Sequence, residues 1–114
     1  MIRRIVFYKS YFLDFFYQQT EKVQEKIDFI LDLISNVERV PEKYFKHLEG
    51  TKGLYEIRVK QYNNIYRIFC CFDEGKLVVL LNGFVKKTNK IPKNEIGKAE
   101  KIRLEYFNDK LNIT

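Results

Sequence analysis

The chain has 114 residues, a formal net charge of +6, and only two cysteines and one histidine. This length predicts one domain, residues 1–114, that can bury a core without disulfide or metal staples. The apolar run at the N-terminus is too short and too broken by charge for a signal peptide, and no stretch is long enough for a membrane span. We therefore expect a cytoplasmic protein with no membrane partner.

The first half of the chain predicts one strand followed by helices. Residues 2–8 favour a strand, and from Ser10 onward the apolar residues fall at helical spacing. The clearest amphipathic pattern has its apolar positions at Val23, Ile27, Ile30, Leu31 and Ile34. The two helical segments can form a hairpin that breaks near Thr20, or one long helix, because no Gly or Pro separates them. The helix should end before Pro41, with at most one further helical turn over residues 41–46.

Residues 53–87 predict three strands joined by two tight turns. Tyr55, Ile57 and Val59 alternate with polar residues, which is the period of a strand with one buried face. A turn at Asn63-Asn64 leads to a second strand over 65–72, and a turn at 73–75 leads to the apolar run 77–81. A continuous apolar run is typical of a strand buried on both faces. Apolar residues at helical spacing after Pro92 predict a last helix.

The predicted order β-α-α-β-β-β-α indicates an α+β fold, with a small mostly antiparallel sheet and helices packed on one side. The adjacent Cys70 and Cys71 should point to opposite faces of their strand, so we expect two buried thiols rather than a disulfide. The single histidine and the cysteine spacing do not fit zinc coordination. We predict no metal site and no cofactor.

Two arginines lie inside predicted strands, Arg58 and Arg67, and Lys86 and Lys87 follow the last strand. A strand interior is unfavourable for a guanidinium unless it reaches water, a carboxylate or a phosphate. Residues 53–114 carry twelve Lys/Arg against seven Asp/Glu, whereas residues 1–52 carry nine against eight. This basic excess indicates a polyanion or an acidic protein as partner, with a merely solvated charged face as the alternative.

No glycine-rich phosphate loop, zinc-protease motif or catalytic triad is recognisable. Arginine and lysine are poor general bases, but they hold phosphate and stabilise a pentacoordinate transition state. RNA carries its own nucleophile, the 2′-OH, so such cations can promote its cleavage by positioning and charge alone. Four aromatic residues are candidates for base stacking: Tyr55, Tyr62, Tyr66 and Phe84. The lone His47 is more often a structural or exposed residue than a functional one.

Motifs over more than half of the chain resemble those of the RelE/HigB toxins, specifically the phage-derived branch. They follow in order as Lys46, Leu48 and Gly50, then LYEIR (54–58), YRI (66–68), GFVKKT (83–88) and PKNEI (92–96). The resemblance implies a RelE-like microbial RNase fold and the toxin of a type II toxin–antitoxin system. Such toxins enter the ribosomal A site and cleave mRNA, and their antitoxins in this branch are usually helix-turn-helix, HigA-like proteins.

The family's catalytic positions fall on Arg58, Arg67, Lys86 and Lys87 of this sequence. The arginines are expected to hold the scissile phosphate, and the lysines to hold flanking phosphates and ribosomal RNA. Further contacts to RNA or the ribosome are assigned to Lys46, His47, Lys60, Tyr66, Phe84 and Lys90.

The chain departs from the family near the C-terminus, and two other functions stay open. Many RelE relatives carry a catalytic Tyr or His near the C-terminus, and this chain has no clear counterpart, since Tyr106 is expected to pack in the core. The ParE branch shares the fold but inhibits DNA gyrase without a nuclease centre. A basic interaction module without activity is a third alternative. The strand arginines together with Lys86 and Lys87 favour the ribonuclease.

Overall fold

The fold is a five-stranded mixed sheet with three helices, seen in a computed structural model that describes residues 1–86 and 92–112. The elements in chain order are β1 (Arg4–Phe7), α1 (Tyr11–Phe16), α2 (Glu21–Asn36), β2 (Phe45–His47), β3 (Tyr55–Gln61), β4 (Asn64–Asp73), β5 (Leu77–Lys86) and α3 (Lys93–Leu111). The strand order in the sheet is β1-β5-β4-β3-β2, with β1 parallel to β5 and every other pair antiparallel. The predicted α+β fold with a mostly antiparallel sheet is thereby confirmed, and β2 is an additional short edge strand.

Helices cover both faces of the sheet, whereas the sequence predicted all of them on one side. On the first face, here the α1/α2 face, α1 and α2 pack against residues that include Ile57, Ile68 and Leu80. On the second, here the α3 face, α3 packs against residues that include Phe69 and Leu81. The reason lies in β4 and β5, whose successive apolar side chains are buried on alternating faces, so each face needs its own cover. None of the helices in the described residues is long and apolar enough to cross a membrane.

The local boundaries follow from caps and turns. Thr20 caps α2, where its hydroxyl oxygen accepts a hydrogen bond from the Val23 amide at 3.4 Å, so the two helical segments are separate helices. α2 ends at Asn36, before Pro41 as predicted, and residues 41–44 form a turn into β2 rather than more helix. The turn between β3 and β4 is one residue earlier than predicted, because Tyr62 takes the positive φ of 56° and Asn64 already belongs to β4.

Both cysteines are buried and unpaired, as predicted. Cys70 packs in the core of the α1/α2 face and Cys71 in that of the α3 face. Burial raises the pKa of Cys70 well above its ordinary value and raises the pKa of Cys71 to about 11. Neither thiol therefore has the thiolate character that nucleophilic or redox chemistry needs.

A bulge in β5 changes which way its last residues point. Ile68 pairs with Gly83 and Cys70 pairs with Leu80, so two steps along β4 correspond to three along β5. The extra residue reverses the alternation beyond it. Gly83 thus faces α1, where the Phe15 ring lies directly over it, while Phe84 and Lys86 face the α3 side. Without the bulge, Lys86 would point to the opposite face.

Substituting Gly83 tests this close contact. A Cβ atom on Gly83 would lie 2.5 Å from Cδ2 of Phe15, so we expect Gly83→Ala to lower the free energy of unfolding by about 1–3 kcal/mol. Gly97→Ala in α3 is the matched control, since its Cβ would meet no atom within 4 Å. The control should stabilise the protein by about 0.4–1 kcal/mol, because alanine favours helix. Equal effects of the two substitutions in urea denaturation would contradict the packing described.

The end of α3 is tied to the turn between β4 and β5. The buried Asp73 carboxylate accepts hydrogen bonds from Lys110 Nζ at 2.8 Å and from the Tyr106 hydroxyl at 2.7 Å. These two bonds lower the pKa of Asp73. Burial, followed by the bond to Asp73, raises the pKa of Tyr106 to about 12.

The Asp73 anchor predicts a defined pH dependence. A carboxyl whose pKa is lowered on folding stabilises the protein above its unfolded pKa, near 4, and loses that contribution as the pH falls through the folded pKa. The stability difference between wild type and Asp73→Asn should therefore be constant at neutral pH and shrink below about pH 4. Denaturant titrations at several pH values measure it. A difference independent of pH would mean that the Asp73 charge contributes nothing.

Candidate functional site

Three cations lie together on the α3 face: Arg58, Arg67 and Lys86, here called the cation cluster. Arg58 of β3 is directly opposite Arg67 of β4, and Arg67 is opposite Phe84 of β5. Residues opposite each other in antiparallel strands point to the same face. The β5 bulge then places Lys86, two residues beyond Phe84, on this face as well. Sheet register alone thus gathers the three side chains.

A fully buried carboxylate, Glu56, lies at the centre of the cluster. Its Oε1 atom forms a short hydrogen-bonded ion pair with Nη1 of Arg67, and Nε of Arg58 lies 3.7 Å from the same oxygen. A carboxylate is strongly disfavoured in a protein interior unless it is paired, and the same holds for a guanidinium. Glu56 therefore holds Arg67 in place, and Arg67 makes the burial of Glu56 possible.

Glu56 lies within the LYEIR motif, but the sequence pattern assigns it no role. A usable signal was present, because Glu56 and Arg58 are two residues apart in a strand and so share one face. The alternation predicts that the polar face of β3 is solvated, but at Glu56 and Arg58 this face forms an ion-pair network with Arg67. The carboxylate of Glu56 offsets the unfavourable free energy of burying an arginine inside a strand.

The members of the cluster differ in exposure. The Arg67 side chain is only 5% exposed, whereas the Arg58 side chain is 31% exposed. Arg58 is thus the accessible guanidinium, and Arg67 lies beneath the surface. Three buried polar atoms, Glu56 Oε2, Arg58 Nε and Arg67 Nε, have no hydrogen-bond partner within the residues described. Such atoms are uncommon in folded proteins, so the pairing capacity of the cluster is not used up internally.

The electrostatics of Lys86 show that the cations interact. Burial lowers the pKa of Lys86, and the charge of Arg67 lowers it further, with Glu56 acting in the opposite direction. Arg58 and Lys46 add to the repulsion. The cluster as defined holds three cations and, among the described residues, Glu56 is the carboxylate that pairs with its two arginines. A bound anion would relieve the repulsion among them.

Three of the other predicted contact residues lie on the same face. Lys46 of β2 is opposite Glu56, and Lys60 of β3 is opposite Ile65. Both lysines are exposed. Phe84 is partly exposed and packs on Phe69 with ring centroids 5.4 Å apart. These residues surround the cation cluster.

Two predicted residues are not brought to the cluster. His47 is opposite Tyr55 and packs against its ring, which places it on the α1/α2 face. Tyr66 is 7% exposed and belongs to the core of that same face. Lys87 and Lys90, also predicted, lie outside the described residues.

Tyr106 lies away from the cation cluster. Its hydroxyl donates to Asp73, which is six residues from Arg67 along β4, or roughly 20 Å at strand rise. The phenol is therefore at the opposite end of the sheet. Its partly buried ring packs against Tyr8 and Phe107, so its role in the described structure is to anchor α3.

Residues 14–104 match the family described as Phage derived protein Gp49-like (DUF891). The chain belongs to this family. It is one of the RelE/ParE-like toxin families, which confirms the resemblance found in the sequence. No curated protein sequence matches the chain.

Among solved structures, the chain is similar to the archaeal RelE–RelB complex from Pyrococcus horikoshii OT3. The match covers 73% of this chain and 93% of that chain, with 19% identity and a TM-score of 0.54. At this identity the likeness concerns the fold, which is the microbial RNase fold of RelE. The cation cluster of this Gp49-like chain therefore lies on the sheet of a RelE-type toxin fold.

The Glu56–Arg67 pair predicts a characteristic pattern of stability. Glu56→Ala leaves Arg67 buried beside Arg58 and Lys86 without its counter-ion, so we expect the free energy of unfolding to fall by about 3–5 kcal/mol. The double variant Glu56→Leu/Arg67→Met removes both charges and should recover most of that loss. Denaturant unfolding measures both.

The control for that series is Lys9→Ala, which breaks an exposed ion pair with Glu105 and should change stability far less. If Glu56→Ala proved no more destabilising than this control, the buried pair would not be a structural requirement.

Proposed function

We propose that this protein is the toxin of a type II toxin–antitoxin system and cleaves mRNA on the ribosome. The observation that carries the proposal is the gathering of Arg58, Arg67 and Lys86 around one buried carboxylate on the sheet of a RelE-type fold. Membership of a RelE/ParE-like toxin family supports a toxin role in general. The positive charges of the cation cluster favour binding of a phosphate group. Cytoplasmic action is part of the same proposal.

The reaction uses the nucleophile that RNA already carries. The 2′-oxygen attacks the adjacent phosphorus, the bond from phosphorus to the 5′-oxygen breaks, and the products are a 2′,3′-cyclic phosphate and a 5′-hydroxyl. The proton lost from the 2′-OH is balanced by the one gained at the leaving 5′-oxygen. The scheme calls for no metal ion, because charge develops on phosphoryl oxygens that cations can stabilise.

The accessible and the buried groups of the cation cluster have different roles in this reaction. Arg58 and Lys86 bind the non-bridging oxygens of the scissile phosphate, and Arg67 adds its charge from beneath. Glu56 is a positioning residue: it fixes both guanidiniums before substrate binds, so little reorganisation is needed in the transition state. In a site with restricted access to water, these charges act more strongly than on an open surface.

The surrounding residues have supporting roles in this scheme. Lys46, Lys60 and Phe84 contact flanking RNA. Lys87 and Lys90, which lie outside the described residues, are assigned to ribosomal RNA on the sequence resemblance alone. His47 is exposed on the opposite face and is assigned to the ribosome rather than to the scissile phosphate. The buried Tyr66 serves the core.

The proposal includes a cognate antitoxin, because an unopposed toxin would arrest its own host. The similar archaeal structure is RelE in complex with RelB. For this phage-derived chain we propose a helix-turn-helix, HigA-like antitoxin, as the sequence resemblance implies. A short neighbouring reading frame encoding such a protein would support this part, and co-purification of its product with the toxin tests it directly.

The nuclease is tested by substituting its accessible cation. We expect Arg58→Ala to lower the rate of mRNA cleavage on translating ribosomes by roughly 10²–10³-fold, the usual effect of removing one group that stabilises an oxyanion. Primer extension on the translated message locates and quantifies the cuts. Lys76→Ala, in the exposed turn before β5, removes the same charge away from the cluster and should leave cleavage unchanged.

Three outcomes distinguish the alternatives. Loss of A-site cuts with Arg58→Ala but not with Lys76→Ala supports the nuclease. Growth arrest with gyrase-linked DNA breaks and intact mRNA would instead establish a ParE-like inhibitor. Intact mRNA and intact DNA with the wild-type protein would leave a basic interaction module without activity.

A further inference from the structure

A cavity of about 280 Å³ lies at the edge of the sheet beside the cation cluster. Its lining combines four cations with one aromatic and one aliphatic residue: Lys26, Lys43, Tyr44, Arg58, Lys60 and Ile65. The cations come from α2, from the turn before β2 and from β3. None of the described residues that line it is a carboxylate. We call this cavity the edge pocket.

The edge pocket exists because β2 pairs with only part of β3. The pairing covers residues 45–47 and 55–57, after which the Tyr44 carbonyl still accepts a hydrogen bond from the Arg58 amide at 2.9 Å. The chain before Tyr44 then turns away, so β3 beyond Arg58 has no further strand beside it on that edge. The α2 helix, packed on the sheet, brings Lys26 to this opening.

The three lysines of the edge pocket line one cavity and have no carboxylate counter-ion within the described part of the chain. None of Lys26, Lys43 and Lys60 forms an ion pair with a carboxylate among residues 1–86 and 92–112. Instead, Lys26 Nζ lies 5.5 Å from the ring centroid of Phe29, and Lys43 Nζ lies 5.0 Å from that of Tyr44. Cations gathered in a concave surface produce a focused positive potential that attracts anions.

Arg58 connects the edge pocket to the cation cluster. Lys60 is two residues further along β3 on the same face, so the two side chains start roughly 6.6 Å apart. That step is comparable to the distance between neighbouring phosphates of a single strand. A second cavity, of about 340 Å³, shares Lys26 and continues past the exposed Phe29, where Glu25 provides the first carboxylate. The cationic surface is therefore continuous from Arg58 to Lys26 and stops near Glu25.

We propose that the edge pocket binds the backbone phosphate of a nucleotide next to the scissile one in single-stranded RNA. Lys26, Lys43 and Lys60 hold the phosphate, and the Tyr44 ring contacts the attached sugar or base. The proposal rests on the nuclease function, since Arg58 is shared by both sites. An acidic peptide would satisfy the charge, but the phosphate-like spacing from the cluster favours RNA.

The experiment measures binding of two 2′-O-methyl oligonucleotides, a trimer and a hexamer, which lack the nucleophile and stay intact. Fluorescence anisotropy gives Kd for the wild type, Lys26→Ala/Lys43→Ala, and the control Arg4→Ala/Lys76→Ala. The control removes two exposed charges at the far end of the sheet. A third variant, Arg58→Ala, reports on the cluster itself.

We expect the wild type to bind the hexamer more tightly than the trimer. Lys26→Ala/Lys43→Ala should lose most of this difference in affinity, with hexamer affinity falling on the order of fivefold per lysine. Its trimer affinity should be unchanged. The slope of log K against log salt for the hexamer should drop by about 0.7, the value for one lost phosphate contact on a single strand. The control should behave as wild type. Circular dichroism verifies that each variant is folded.

The outcomes separate this proposal from the function on which it rests. Suppose that trimer binding depends on Arg58, but that Lys26→Ala/Lys43→Ala still binds the hexamer more tightly than the trimer by the wild-type factor. The edge pocket is then not a phosphate site, while the cation cluster remains one. If Arg58→Ala leaves trimer binding unchanged, the proposed function itself fails. If a decaglutamate peptide loses affinity in the Lys26/Lys43 variant while hexamer binding does not change, the pocket serves an acidic protein and the RNA proposal is overturned.

Discussion

The ion pair between Glu56 and Arg67 is the constraint on which the functional surface depends. Both side chains are almost completely buried in the middle of the sheet, where either charge alone would be strongly unfavourable. Buried ion pairs contribute little net stability compared with apolar residues of similar size. Keeping such a pair in a small sheet makes sense if its geometry serves function. Here it fixes one guanidinium and orients a second, Arg58, toward solvent.

Two features of the sheet complete this arrangement. The register of β3 with β4 sets Arg58 opposite Arg67, and the β5 bulge turns Lys86 to the same face. The remainder of the fold supplies rigidity, because α1 with α2 and α3 cover the two faces with separate cores. The cations are thus positioned by backbone hydrogen bonds rather than by flexible loops. Sites built on strands hold their groups more precisely than sites on loops.

Much of the fold was predictable because its apolar periodicity is strong. The strands of the hairpin region, the amphipathic α2 and the final helix follow from spacing alone. The prediction that all helices pack on one side was wrong for α3, although the doubly buried run 77–81 implied cover on both faces. The turn at Tyr62 was missed because a tyrosine with positive φ is uncommon, and the sequence offered two asparagines beside it.

Only part of the candidate site could be predicted from the sequence. Arg58, Arg67 and Lys86 stood out as charges in or next to strands, and the structure brings them together. Glu56 was overlooked because alternation made it look solvent-facing, and only tertiary packing shows that it is buried. His47 and Tyr66 could not be assigned a face from sequence with certainty, since strand register depends on the pairing of β2 and on the turn at Tyr62. Lys26 and Lys43 are far from the motifs in sequence, and only folding brings them to the edge pocket beside Arg58.

Side-chain NMR of the arginine Nε–H groups, during titration with a 2′-O-methyl RNA trimer, tests the central claim most directly. Arg58 and Arg67 each have a buried Nε without a hydrogen-bond partner among the described residues, and so does Arg103 of α3, which serves as an internal reference. If the phosphate binds at the cation cluster, the Arg58 and Arg67 resonances should shift with one common Kd while that of Arg103 stays in place. Saturable RNA binding that leaves both cluster resonances unmoved would show that the phosphate binds elsewhere, and the account would be wrong.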